Sequence, residues 1–312
     1  MDPLRAGLNL RPQLLAEGLT DAELRALRRR GVLYSVRPGA YHPGPLPDDP
    51  VARHLLVVCA TLPRLGVDTV LSHTSAAVVH GLPLWSVPFD RVHATRDRSS
   101  GARRSSVVHL HAAVLHPDEV TLVGGLLVTT VARTLIDLAR MLPFEQALIP
   151  VDAALFRGLV TPDALTAAVE SGAHRPNNGA ARRVVAFADG RAESPGETRS
   201  RVAIHRAGLP APVLQRRLVG ARVDFDWEEY ATVGEFDGKV KYGGYLRPGQ
   251  DPGDVVFAEK RREDALRDHG REVVRWVWDE LDRFDGVAAR LWRAFARGRK
   301  RVSAKSPAPS QR

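Results

Sequence analysis

The spacing of apolar residues divides the chain into regions of different period. Near the start, Leu14 and Leu15 close a short helix, and Leu24, Leu27 and Val32 give a second helix its apolar stripe. Thr20 or Asp21 is the N-cap of that second helix and Gly31 its stop. Val32 to Val36 is strand-like, Arg37-Pro38-Gly39 is a turn, and Ala40-Tyr41-His42 returns. Two helices followed by a hairpin predict a compact winged helix over residues 1–48. From 50 to 190 the pattern is mostly helical. Ser72 caps a helix over 74–80, with Gly81 and Pro83 as stop signals. Thr129 or Thr130 opens a helix bearing Val131, Leu135, Leu138 and Met141, and Pro162 starts another after Thr161. Strand patterns occur at Asp90 to Thr95 and Val107 to Ala112, joined by a basic loop with Arg96, Arg98, Arg103 and Arg104.

From Ser194 the signals change order. Ser194-Pro195-Gly196-Glu197 reads as a capping box with proline at the first helical position, opening a helix that ends near Gly208-Leu209-Pro210. Val213 to Val219 and Arg222 to Trp227 are two strands joined at Gly220-Ala221, and Thr232 to Asp237 is a third. A glycine- and proline-rich loop over 243–254 precedes a charged helix, Val255 to His269, which Gly270 ends. Glu272 to Val277 is a last strand, and Asp279 opens a terminal helix with Leu281, Leu291 and Phe295. This order predicts a small α/β domain over 194–296, so the whole chain is expected to be a mixed α/β, α+β multidomain protein.

Composition adjusts this picture in three ways. A chain of 312 residues with 44% apolar content suggests two or three domains. No apolar window reaches the roughly 18 to 20 residues a membrane span needs, and Met1 to Leu10 has no long apolar core of a signal peptide. Cys59, the one cysteine, excludes an internal disulfide and a thiolate zinc cage, so no membrane partner and a cytoplasmic location are expected. Cys59 itself, within the apolar run 55–62, reads as a small core residue. Of the formal charge of +9, six positive charges lie in residues 297–312, which read as a disordered basic tail. In the winged helix, Arg28, Arg29, Arg30 and Arg37 are candidate DNA-binding residues that meet phosphates. Arginines ending a helix also offset its dipole, which accounts for Arg28 to Arg30 without DNA.

The candidate chemistry is carried by acids and lysines. Asp224 lies among strand-forming apolar residues, a costly position for an acid unless it is exposed, paired or bound to metal. Glu235 and Asp237, two residues apart on one strand, project from one face. Asp224, Glu235 and Asp237 are therefore expected to converge in an oxygen-only pocket suited to Mg²⁺, and surface-facing acids are the alternative. Glu197 has two readings, as a helix cap or as a fourth acid. Only five of the 45 basic residues are lysines, and outside the tail they are Lys239, Lys241 and Lys260. A compact ammonium there would steady a hydroxide or phosphoryl oxygen as a point charge. Six of eleven histidines fall between His73 and His116, with His109 and His111 on one strand face. Without a carboxylate or cysteine at ligand spacing they read as scattered polar or core residues, a zinc-binding module being the minor alternative.

Val223-Asp224-Phe225, Val233 to Gly238, Glu259 to Asp264 and Val273 to Trp276 together resemble the Vsr-like family of very-short-patch-repair endonuclease folds, in the PD-(D/E)XK superfamily. The resemblance implies a restriction-endonuclease-like α/β domain in which Glu197, Asp224 and Glu235 hold Mg²⁺. The family's E-x-K reads Glu235-Phe236-Asp237 here, so Lys239 or Lys241 stands in for its lysine. Arg30-Gly31-Val32 with Arg37 to Tyr41, Leu71 to Ala77 and Val131 to Arg140 resemble AbiEi-type antitoxins, a winged helix followed by a mostly helical domain. That second resemblance implies operator DNA binding and a partner in a toxin operon. The two expected functions are a DNA-binding Mg²⁺-dependent endonuclease and a non-catalytic regulator or antitoxin with a degenerate nuclease fold.

Overall fold

A computed structural model describes residues 7–66, 68–98, 100–238 and 261–305, with side chains up to Arg299. The chain divides into two compact units, Met1–Ala188 and Asp189–Arg312.

The first unit opens with β1 (Asn9–Leu10), α1 (Arg11–Ala16), α2 (Asp21–Arg29), β2 (Leu33–Arg37) and β3 (Ala40–Pro43). The strands form an antiparallel sheet in the order β1-β3-β2. Thr20 is the cap of α2: its hydroxyl accepts the Glu23 N–H at 3.3 Å and the Glu23 carboxylate accepts the Thr20 N–H at 2.7 Å. Leu14, Leu24, Leu33 and Tyr41 bury the faces that this geometry brings together. The rest of the unit contains α3 (Pro50–Thr61), β4 (Thr69–Leu71), α4 (His73–Val79), β5 (Val92–Asp97), β6 (Arg103–Arg104), β7 (Val108–Ala113), β8 (Val120–Val123) and β9 (Leu126–Thr129). Four helices follow: α5 (Val131–Met141), α6 (Phe144–Phe156), α7 (Pro162–Ser171) and α8 (Asn178–Phe187). Helical residues outnumber strand residues, as the pattern predicts. The strands nonetheless assemble into one six-stranded sheet, β6-β7-β5-β4-β9-β8. Four of them are two to four residues long, too short to display a period. Val58, Leu71, Ala76, Val92, Leu126 and Val128 make one core against this sheet.

The second unit contains α9 (Pro195–Arg206), β10 (Val213–Leu218), β11 (Ala221–Trp227), β12 (Thr232–Asp237) and α10, whose described part is 261–268. It continues with β13 (Glu272–Val277), α11 (Trp278–Leu281) and α12 (Asp285–Lys305). The sheet order is β10-β11-β12-β13. The first three strands are antiparallel, whereas β12 and β13 are parallel and so need a crossover connection, to which α10 belongs. Phe225, Trp227, Trp276, Leu291 and Phe295 fill the core, and Trp276 Nε1 donates to Ser200 Oγ at 2.8 Å, fixing α9 to the sheet. Helix α12 runs through 297–305, where composition alone predicts a disordered tail. The reason is local: Arg297 pairs with Glu272 at 2.8 Å and Arg299 lies 4.4 Å from the centre of the Tyr230 ring, so these cations are anchored while the helix continues. Residues 306–312 and the loop expected over 243–254 lie outside the described residues. Among the described residues no helix is long and apolar enough to cross a membrane.

Gly234 in β12 shows how tightly the sheet is packed. A methyl group there would come within 2.5 Å of the Trp276 ring and 3.0 Å of Trp227. Gly234→Ala is therefore expected to lower the urea midpoint of the second unit by the equivalent of about 1–3 kcal/mol, the usual cost of overpacking a core. An unchanged midpoint would show that this core yields more than its geometry implies.

Candidate functional site

Three clusters of polar side chains stand out. The first is basic and lies on α2 and β2. Arg25, Arg28 and Arg29 are exposed and line, with Leu33, Tyr34 and Ser35, an open depression of about 400 Å³. The Arg28 guanidinium is 5.9 Å from the centre of the Tyr41 ring. Arg30 is the exposed C-cap residue of α2. Arg37, expected in the hairpin turn as a DNA-binding residue, has its guanidinium placed differently. Its Nη1 donates to the carbonyl of Ala60 at 3.2 Å, at the C-terminal end of α3. Burial and the neighbouring Arg64 lower its pKa, so Arg37 packs the hairpin onto α3, satisfying a carbonyl that the helix leaves unpaired. Arg25 takes its place in the basic set. It sits one helical turn before Arg28 and Arg29, a relation visible in the sequence once the helix is drawn.

The second cluster is acidic and lies in the second unit. Ser194 caps α9, its hydroxyl accepting the Glu197 N–H at 3.2 Å and donating to Glu197 Oε1 at 2.8 Å. Glu197 Oε2 also accepts the Glu193 N–H at 2.9 Å and the Gln215 amide at 2.7 Å. Glu197 is thus a cap and a member of the acidic cluster at once. Asp224 lies just past the last β11–β12 pair, Phe225 with Gly234, and its Oδ2 takes the Phe236 N–H at 2.9 Å. Its carboxyl is pushed up to about 6, first by burial and then by the charges of Glu197 and Glu235, against the pull of the Phe236 N–H and Arg262. Glu235, almost fully buried, is held by Arg262 and, at 3.0 Å, by Arg275, which also reaches Glu263 at 3.3 Å. Asp237 is half-buried at the end of β12. Lys239, Lys241 and Lys260 lie outside the described residues.

Gln215 was not singled out by sequence patterning. It faces Asp224 across the β10–β11 pair with a left-handed backbone, φ 53°, and its Nε2 is 3.5 Å from Asp224 Oδ1. Its Oε1 is buried with no hydrogen-bond partner. An amide in the middle of a strand carries no signal of this in sequence. The carboxylates of Glu197, Asp224 and Glu235 offer oxygen, which fits a hard cation such as Mg²⁺, although the Gln215 group nearest Asp224 is its Nε2. Yet Glu197, Asp224 and Glu235 do not close into a ligand set: among the described residues, the group of three whose ligating atoms all lie within 4.8 Å of one another is a different one. The predicted convergence fails because Glu197 is drawn into its cap, Gln215 is interposed, and Glu235 is drawn to two arginines.

The group that does close is His73, His93 and His111, in the first unit. Expected to be scattered, these rings are gathered by the parallel pairing of β5 with β7, which sets His93 beside His109 and Thr95 beside His111. His73 opens α4 with a left-handed backbone, φ 49°, and its ring stacks on His111 with centroids 3.7 Å apart. His111 stacks in turn on His109 at 4.0 Å, and His93 Nδ1 is 3.1 Å from His111 Nε2. His109 and His111 share a strand face as alternation requires; a residue some forty positions earlier and a parallel neighbour could not be read from spacing. Burial pushes His93 down to about 4, His111 to about 2 and His73 well below its ordinary value, so the imidazoles are neutral at pH 7. The buried pairs Arg133–Asp137 at 2.8 Å and Arg140–Asp137 at 3.2 Å stand nearby and act electrostatically on the cluster. The segments Leu71 to Ala77 and Val131 to Arg140, apart in sequence, therefore supply one polar centre.

No protein-family model matches the chain. Two proteins of Mycobacterium tuberculosis, "Uncharacterized protein MT2308" of strain CDC 1551 / Oshkosh and "Uncharacterized protein Rv2248" of strain ATCC 25618 / H37Rv, are each 33% identical to it over 183 residues. The match takes in 57% of this chain and 65% of each relative, just under two thirds of their length. Among solved structures, the RV2827C protein from Mycobacterium tuberculosis is similar with a TM-score of 0.41 and 16% identity, over 67% of this chain and 79% of that one.

The raised carboxyl of Asp224 has a consequence with a definite sign. A folded-state pKa above the ordinary value near 3.8 means that the folded protein holds the extra proton between about pH 4 and 6, so this residue's contribution to stability falls as pH rises through that window. Asp224→Asn is expected to raise the urea midpoint at pH 7 and to leave it unchanged at pH 3.5, the asparagine keeping an acceptor for the Phe236 N–H. An equal effect at both pH values would contradict the origin given for the shift.

Proposed function

We propose that the protein binds DNA through the arginine-lined face of α2 and β2, as a regulator or antitoxin of the AbiEi type. The observation that supports this reading is the convergence of Arg25, Arg28 and Arg29, all exposed, with Tyr34 and Ser35 around one depression. Guanidinium groups held in fixed relation by a helix suit phosphate oxygens at the edge of a groove, and hydroxyls beside them add neutral donors. Arg30, the exposed C-cap residue of α2, does not line this depression. A regulator of this type would act on the operon of a toxin partner, which is part of the proposal.

A second reading, a Mg²⁺-dependent endonuclease, is favoured by one observation: the Asp224 carboxyl is raised to about 6 first by burial and then by the charges of Glu197 and Glu235, and a bound cation would offset that repulsion. Asp224 and Glu197 would hold Mg²⁺, with Glu235 joining on release from Arg262 and Arg275. When bound, the ion polarises the phosphodiester and lowers the pKa of an attacking water. Gln215 orients Glu197, the Phe236 N–H orients Asp224, and Lys239 or Lys241 is assigned the role of the family's lysine. The arginine clamp on Glu235 and Asp237 in the lysine position favour the regulator.

One set of measurements separates the readings. Fluorescence anisotropy with duplex DNA from about 50 to 200 mM salt should give log K falling linearly with log salt. Replacing Arg25, Arg28 and Arg29 together by alanine should weaken binding on every duplex and reduce the slope by about one per lost phosphate contact. Arg37→Ala should lower stability and leave the slope unchanged. A triple variant that binds like the wild type would sink the DNA-binding site. Plasmid nicking in Mg²⁺, abolished by Asp224→Asn, would establish the endonuclease; binding without nicking leaves the regulator.

A further inference from the structure

We infer that His73, His93 and His111 form a binding site for a first-row transition metal of the zinc class. The ligand chemistry is right first. Imidazole suits such ions, whereas Mg²⁺ prefers oxygen donors, so this site and the acidic cluster select different metals. The distances are right next. Zn–N bonds of about 2.0–2.1 Å at tetrahedral angles place ligand nitrogens about 3.3–3.4 Å apart. His93 Nδ1 and His111 Nε2 are 3.1 Å apart, and His73 contributes a third nitrogen within 4.8 Å of both.

The surroundings resemble those that orient metal-bound imidazoles. His73 Nδ1 is 2.9 Å from Ser72 Oγ, which accepts from Thr95 Oγ1 at 2.8 Å. With Nδ1–H donating to Ser72, Nε2 of His73 carries the free lone pair, the arrangement in which an outer hydrogen bond fixes the tautomer of a ligand. The left-handed backbone of His73 is the kind of local strain that a packed structure retains at a functional position. One feature must change on binding. Stacked rings point their in-plane lone pairs side by side, so the ring of His73 or His111 has to turn about its Cβ–Cγ bond for both to face one ion. Three imidazoles leave a fourth position for water, an anion or His109, which stacks on the outer side of His111.

The full chain, stripped with a chelator and exchanged into metal-free buffer, is titrated with Co²⁺ and then with Zn²⁺ in competition with a chromophoric chelator. One equivalent per chain is expected, with Co²⁺ absorption bands of tetrahedral intensity that Zn²⁺ abolishes. His93→Gln and His111→Gln, which keep side-chain bulk, should each weaken Zn²⁺ at least tenfold, and His174→Ala should not. The His109→Ala variant decides the fourth ligand: a shift of the Co²⁺ bands assigns it to His109, and unchanged bands assign it to solvent or an anion. Failure of the folded wild-type chain to take up one equivalent overturns the site, and so does uptake that survives the two glutamine variants together.

Discussion

Taking an arginine or a carboxylate out of water costs several kcal/mol unless a partner of opposite charge comes with it, and that cost governs how the charged residues of this chain are disposed. Where burial is deep, pairs and forks have formed. Asp137 takes Arg133 and Arg140, Asp226 takes Arg216 and Arg271, and Glu235 takes Arg262 and Arg275. These arginines are structural. The cations of α2 lie outside this arrangement: Arg25, Arg28 and Arg29 are exposed around one depression and so are available to an external anion. Arg37 shows the boundary between the two groups, since its guanidinium has been drawn from the wing to a helix carbonyl.

The same cost explains why the two other clusters differ in character. In the second unit, Asp224 is partly buried beside Glu197 and Glu235, and the neighbouring arginines favour Glu235. What remains is a carboxyl whose pKa is raised to about 6, with an unpartnered amide oxygen across the strand pair. In the first unit the buried groups are imidazoles, which avoid the penalty by staying neutral and stacking on one another. A carboxyl with a raised pKa and a stack of neutral histidines are both arrangements that a cation could reorganise. Oxygen donors on one side and nitrogen donors on the other assign them to ions of different hardness.

Much of the architecture was legible because it rests on local chemistry. The Thr20 and Ser194 caps, the hairpin at Pro38-Gly39, the β10–β11 turn at Gly220 and the existence of a last strand after a charged helix follow from residue type and spacing. Short strands such as β4 and β8 were not legible, since three or four residues show no period. Sites fared worse than elements. The grouping of Glu197 with Asp224 was implied by the family resemblance alone, and the insertion of Gln215 between them depends on a backbone angle at a non-glycine residue. The gathering of His73 with His93 and His111 depends on which strands pair in parallel, a property of topology and not of spacing.

The central claim is that the exposed arginines of α2, and not the basic end of the chain, form the DNA-contacting face. Hydrogen–deuterium exchange of the full chain, with and without duplex DNA at low salt, tests it without any substitution. Slowed exchange concentrated over residues 21–36 is the predicted result, because ordering of phosphate-bound arginines damps fraying at the C-terminal end of α2 and along β2. Unchanged exchange there, with protection confined to α12, would contradict it.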